Sequence, residues 1–348
     1  MKEKQLKQRN INFDILRALA AFGVVCIHST IYEWKNHSPS ETEFLVFNII
    51  NCLGRCAVPL FFMLSGAFML QAKKCEKDIL KKAGKLLFIY VVWSALYACA
   101  EMGSGFLHFR FSQWLEYFIN AKFHLWFLPI IICIYMIFPI LYAFVHYEDG
   151  RYVRYAVWIF FVFGICKNTL IVLFPENTYL NAVLGKCSVE LCEYTGYFIL
   201  GYYLMCLGKK EKKIYRAFMT YLIAVVFCIV ATQLVSVRRN ELVNVFSSYF
   251  SLPIYIEAVS IFTIFCGWKI DWQKCKRLGY VGSYIAGTSL GVYLLHPFVM
   301  EHLDSVFGIS AKMCHAIISL PVVAVLSYSI SVVVVGVMKK IPLLRGIC

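Results

Sequence analysis

The feature that most constrains this chain is a succession of apolar stretches, each long enough to cross a bilayer as a helix and separated by short polar connections. A spanning helix needs about 20 predominantly apolar residues. Ten such stretches can be read, at 11–31, 44–70, 86–102, 123–145, 155–174, 189–207, 214–235, 246–267, 285–303 and 313–338. Hydrocarbon offers no water to satisfy N–H and C=O groups, so each stretch must close its own hydrogen bonds as a helix. Composition agrees, with 60% of residues hydrophobic and 16% charged, against about 45–50% and about 25% in soluble domains. The expected fold class is all-α: a polytopic integral membrane bundle of about ten transmembrane helices, forming a single domain over residues 1–348. A soluble enzyme, a disordered chain and a secreted disulfide scaffold are excluded. Residues 103–122 form the longest connection, where Trp114, Leu115, Tyr117 and Phe118 predict an interfacial helix.

The formal charge of +14 has to be placed relative to the membrane before it is read as a binding surface. With the N-terminus inside, 24 of the 34 Lys and Arg fall on inner segments and eight on outer ones. That bias is the positive-inside pattern. It predicts a multi-pass protein of the cytoplasmic membrane with both termini cytoplasmic, and it needs no nucleic acid to explain it. Asp14 and Arg17 interrupt the first apolar stretch, which is therefore expected to be an uncleaved helix rather than a signal peptide. The 15 cysteines include no CxxC pair and mostly lie in apolar stretches. They read as small buried hydrophobes, and no metal-ligand spacing accompanies them.

The informative charges are those that break the apolar pattern, since each costs about 2.5–3.5 kcal/mol at mid-membrane on insertion scales. The first stretch holds Asp14, Arg17 and His28. Eleven residues at 100° each make almost three whole turns, so Arg17 and His28 share one face, about 16 Å apart along the axis. Asp14 lies one turn from Arg17 and can pair with it. Taken alone, Arg17 is also explained as an interfacial anchor and His28 as a hydrogen-bonded bundle histidine. As a pair they point to chemistry, because imidazole suits general-base work near neutral pH. Arg55 opens the block Arg55-Cys-Ala-Val-Pro59 to Ser65-Gly66, and Lys81, Lys82 and Lys85 follow that helix. Those lysines fit a solvated inner loop or a landing site for an anionic ligand's phosphates. His124-Leu-Trp126 opens the fourth stretch, Glu190 and Glu193 lie at the outer end of the sixth, Glu257 is in the eighth, and Tyr293-Leu-Leu-His296 is in the ninth. Cations at the inner mouth and titratable groups further out suit a path for an anionic donor entering from the cytoplasm.

Asp14-Ile-Leu-Arg17, ten residues, then His28 resembles the R-X10-H signature of the acyltransferase-3 family of membrane acyltransferases. The Arg55–Gly66 block, the His124-Leu-Trp126-Phe-Leu-Pro129 start and the Gly291-Val-Tyr293-Leu-Leu-His296 block resemble three further family blocks in the same order. The resemblance covers essentially the whole chain. It implies transfer of an acyl group, with acetyl expected, from cytoplasmic acyl-CoA to a hydroxyl of a cell-envelope glycan or other extracytoplasmic acceptor. On that footing the catalytic candidates are His28, Arg17, Glu193 and His296, with His28 as base or transient acyl carrier. The donor-binding candidates are Arg17, Arg55, Lys82, Lys85 and Trp126, and no metal is expected. The family often carries R-X-X-R after the second helix. Here Lys82-Ala-Gly-Lys85 keeps the charge without the bidentate phosphate geometry. No appended extracytoplasmic hydrolase-like domain is read, so final transfer is expected within the bundle or on a separate partner. The competing class is a transporter or flippase, for amino-acid uptake or polysaccharide export, since ten helices with intramembrane charges suit that too.

Overall fold

Every regular element among the described residues of the computed structural model is helical, as a backbone without water to bond requires. Those residues are 10–71, 75–103, 110–174, 177, 190–207, 214–272 and 274–348. In order the helices are α1 (Ile11–Trp34), α2 (Thr42–Arg55), α3 (Ala57–Met69), α4 (Glu76–Met102) and α5 (Phe111–Asn120). After a 3₁₀ turn at Phe123–Trp126 come α6 (Phe127–Met136), α7 (Phe138–His146) and α8 (Val153–Ile159). A π-helical turn at Phe160–Cys166 leads into α9 (Lys167–Leu173). The rest are α10 (Glu190–Leu207), α11 (Ile214–Arg239), α12 (Leu252–Gly267), α13 (Lys276–Phe307) and α14 (Ala316–Met338).

Seven helices among the described residues are long and apolar enough to cross a membrane, or eight if the pair Phe111–Asn120 and Phe123–Met136, bent by 49°, is one span. The ten expected stretches all coincide with helices, but not all are continuous. The expected 123–145 is divided, because Pro139 begins a new helix at α7. The expected 246–267 is helical only from Leu252, again with a proline in its first turn. Position 189 of the sixth stretch lies outside the described residues. In the other direction, α4 starts at Glu76, ten residues before the apolar run. Its leading turns carry Lys81, Lys82 and Lys85 exposed, and lysine is a good helix former that lets the helix run on past the apolar surface. The stretch expected to be an interfacial helix forms α5, on which Phe111, Trp114 and Phe118 stack along one face.

Helix α1 is the axis of the bundle. It runs parallel to α13, with Ser283 Oγ donating to Asp14 Oδ2 at 2.8 Å near the start of both. It runs antiparallel to the α2–α3 rod, where a Cβ on Gly54 would meet the Gly23 carbonyl. Polar pins set the register: Asn51 Nδ2 donates to Thr30 Oγ1 at 2.7 Å, and Tyr328 Oη donates to the Ala18 carbonyl at 2.9 Å. Such interhelical bonds are worth only about 0.6 kcal/mol each in membrane proteins, so they fix alignment more than stability. Close backbone contact does the rest. Gly66 of α3 lies against the Phe198 carbonyl of α10, and Gly201 of α10 lies against the Met63 carbonyl. The bundle thus has an end where α1 begins, the Asn10 end, and an opposite Trp34 end.

Candidate functional site

Helices α1 and α13 meet at two imidazole rings. His28 Nδ1 and His296 Nε2 are 2.5 Å apart, with ring planes 8° from parallel. His296 is fully buried, and its Nδ1 lies 3.0 Å from the Val292 carbonyl one turn back. A carbonyl can only accept, so His296 Nδ1 carries the proton and its Nε2 presents a lone pair. His28 Nδ1 therefore donates to it, which leaves the lone pair of the neutral His28 ring on Nε2. Pro297, next along α13, has no N–H to give the Tyr293 carbonyl, so the helix is locally relieved of one bond beside the pair.

A third ring completes the cluster. His124, in the 3₁₀ turn before α6, is fully buried, with its ring centre 5.7 Å from that of His296 and 6.3 Å from that of His28. Tyr97 of α4 packs edge-on against it at 5.0 Å, and Tyr293 Oη donates to its backbone carbonyl. Neither ring nitrogen of His124 makes a hydrogen bond among the described residues. Despite three adjacent imidazoles, no group of three or more His, Cys, Asp or Glu is arranged to hold a metal ion among the described residues.

Two cavities reach this cluster. One, of about 370 Å³, extends toward the Asn10 end and is lined by Arg17, Ser65, Tyr135, Trp126 and Tyr249, with His28 and His124 at its far limit. The predicted spacing of Arg17 and His28 on one face is realised: both line this cavity. Arg17 lies 3.9 Å from Asp14, with a third of its side chain exposed. Trp126 stacks on Tyr249 at 5.8 Å. The second cavity, of about 340 Å³, extends toward the Trp34 end and is lined by Ser29, Glu33, Phe123, Glu301, Asp304 and Lys312. Among the described residues, His28 is the one that lines both.

The remaining candidates separate. Arg55 is one layer behind the first cavity, its guanidinium 5.5 Å above the Tyr249 ring and its Nε donating to Asn51 Oδ1 at 2.6 Å. Lys85 is exposed beside Leu86, which lines the first cavity. Lys339 bonds to the carbonyl of Gly287, another lining residue, and both lysines act electrostatically on the Cys348 thiol. Lys82 is exposed on the same turn of α4. Glu193 is not brought to the histidines: it accepts from Asn168 Nδ2 at 3.0 Å and lines neither cavity. Glu257 is fully buried with both carboxyl oxygens unbonded among the described residues, also outside both cavities. Tyr97 and Lys339 were not singled out in the sequence, and His124, singled out as the start of the fourth stretch, was not among the catalytic or donor-binding candidates. His124 had a signal in its place two residues before Trp126, and Lys339 had one only as part of an inner basic segment.

The family model for the acyltransferase domain matches residues 10–339, which takes in every helix from α1 to α14. The chain belongs to this acyltransferase-3 family. It is also similar to an amino-acid racemase of Enterococcus faecalis, 24% identical across 97% of this chain and 47% of that protein. A second amino-acid racemase of that organism is 28% identical across 55% of this chain and 27% of that protein. The chain thus spans about half the length of the first relative and about a quarter of the second. No solved structure matches it. Family membership and the set of apolar helices together make this a multi-pass membrane protein of that family.

Proposed function

We propose that this protein is a membrane O-acyltransferase that takes an acyl group, with acetyl expected, from acyl-CoA at the Asn10 end and delivers it to a hydroxyl acceptor at the Trp34 end. The observation that carries the reading is the position of His28, the one residue among those described that lines both cavities. The positive-inside bias assigns the Asn10 end to the cytoplasm, with ten crossings and both termini inside. The inner cavity suits the narrow pantetheine arm: aromatic walls from Trp126 and Tyr249, and Arg17, Ser65 and Tyr135 as polar contacts. Lys85 and Lys339, with Lys82 nearby, stand where the coenzyme's phosphates would remain outside.

The chemistry follows from the tautomer. An acceptor hydroxyl in the outer cavity gives its proton to His28 Nε2 as its oxygen bonds to the thioester carbonyl carbon. The carbon–sulfur bond then breaks, and the coenzyme thiolate leaves and recovers the proton from His28. His296 positions rather than reacts, since it holds His28 Nδ1–H and is itself held by Val292. General-base catalysis of this kind is worth about 10²–10⁴-fold. In reconstituted membranes the wild type is expected to release CoA from acetyl-CoA when an acceptor is present, and His28→Ala to lose that release while still inserting. Undiminished release by His28→Ala would overturn the mechanism. Lys82→Gln with Lys85→Gln is expected to raise the donor KM by about tenfold with kcat little changed; an unmoved KM would leave those lysines to topology alone.

A second reading, uptake of an amino acid, takes only its substrate class from the likeness to proteins named amino-acid racemases. It requires a through-path where His28 now separates two cavities. Donor-independent uptake of a radiolabelled amino acid into proteoliposomes would support it over acyl transfer.

A further inference from the structure

The outer cavity has a charge that the acyl-transfer chemistry does not itself require. Glu33 lies five residues beyond His28 on α1, while Glu301 and Asp304 lie one turn apart on α13, beyond His296. All three carboxylates line the cavity, and Lys312, in the connection to α14, is the one cation among the described residues that line it. Lys312 Nζ is 2.9 Å from Glu33 Oε1, and its pKa is held above the ordinary value, first by that hydrogen bond and further by the charge of Asp304. Lys122 is shared between Glu301, at 2.7 Å, and Glu101. Among the described residues in and beside the cavity, four carboxylates therefore stand against two lysines: Lys122 is shared between two acids, and Lys312 is paired with Glu33 alone and feels the charge of Asp304. Phe123 closes one wall, edge-on to His28 at 5.2 Å, and supplies an apolar face of the kind on which a sugar ring can pack.

A cavity of this sign, opening directly on the base, discriminates among acceptors before any chemistry occurs. Carboxylates accept hydrogen bonds from hydroxyl and ammonium groups, and an acceptor bearing phosphate or carboxylate meets uncompensated like charge. We infer that the outer cavity is an acceptor subsite selective for hydroxyl-bearing saccharides that carry a protonated amine, and that it selects against acidic ones. The inference rests on the acyl-transfer reading for its place in the reaction, but the binding preference stands on the cavity alone. Asp304 and Glu301 attract the ammonium, while Lys312 tempers the field by holding Glu33.

The test separates the two. In the full chain in lipid nanodiscs, with His28→Ala to stop turnover, binding is measured by titration calorimetry for three matched probes: a glucosamine disaccharide, its N-acetylated form and a uronic-acid disaccharide. The expected order of affinity is amine, neutral, acid, with steps of about two- to fivefold that shrink in about 0.5 M salt. Asp304→Asn should weaken the amine probe by a similar factor and leave the neutral one unchanged. Lys312→Gln should strengthen the amine probe, the opposite sign, which a folding defect cannot mimic. An acid probe that binds best, or an order that neither variant moves, overturns the inference. If wild-type protein releases no CoA with any of the probes while the binding order holds, the acyl-transfer reading fails and the subsite remains.

Discussion

A histidine acts as a base only through a nitrogen whose lone pair is uncommitted, and the contacts of His296 decide which nitrogen of His28 that is. With both rings neutral, the chain of bonds from the Val292 carbonyl to His296 to His28 contributes about 0.5–1.5 kcal/mol per bond; its main effect is to fix one tautomer and one ring orientation. His296→Ala should therefore lower kcat by on the order of 10²-fold with the donor KM unchanged. His296→Gln, whose amide can accept from His28 and donate to Val292, should recover part of that loss; equal losses in both variants would reduce His296 to packing. Steady-state kinetics with both substrates varied makes the distinction. The sequence made Arg17 and His28 legible as a pair because they lie on one helix, where spacing is geometry. His296 was legible only as a residue type out of place, since its contact with His28 spans 268 positions of chain. Glu193 looked equivalent to His296 on the same grounds, but it is held by Asn168 of a neighbouring helix and lines neither cavity.

At the scale of the element, the decisive contacts are between backbones. A methyl group on Gly66 would overlap the Phe198 carbonyl, and one on Gly201 would overlap the Met63 carbonyl, so α3 and α10 can meet only as they do if both positions are bare. Close approach through small residues is the usual means of helix association in lipid, where burial of apolar surface supplies no net drive. Gly66→Ala is expected to cost about 1–3 kcal/mol or more, read as a lowered midpoint in detergent thermal unfolding. Gly84→Ala, with open space around its α-carbon, should leave that midpoint unchanged or slightly raised. Hydropathy showed where helices lie because it is a local signal. It did not show where they break, because Pro139 and Pro253 fall inside apolar runs and carry no polar mark.

For the whole molecule, orientation is the property on which the proposed transfer depends, and the exposed cysteines allow it to be measured. Cys75 and Cys275 are exposed at the starts of α4 and α13, at the Asn10 end, and Cys314 is exposed just before α14, at the Trp34 end. With the other cysteines changed to Ser, an impermeant maleimide should label Cys314 in intact cells and reach Cys75 and Cys275 only after the membrane is opened. The reverse pattern would invert the donor and acceptor sides. Two cavities that meet at one imidazole would, on the proposed reading, separate what crosses the membrane from what does not. An acyl group would change sides there by exchanging one bond for another, while neither the coenzyme nor the acceptor passed through. A protein working in that way would move carbon outward without a pore, and a cell making many copies of it would keep its ion gradients intact.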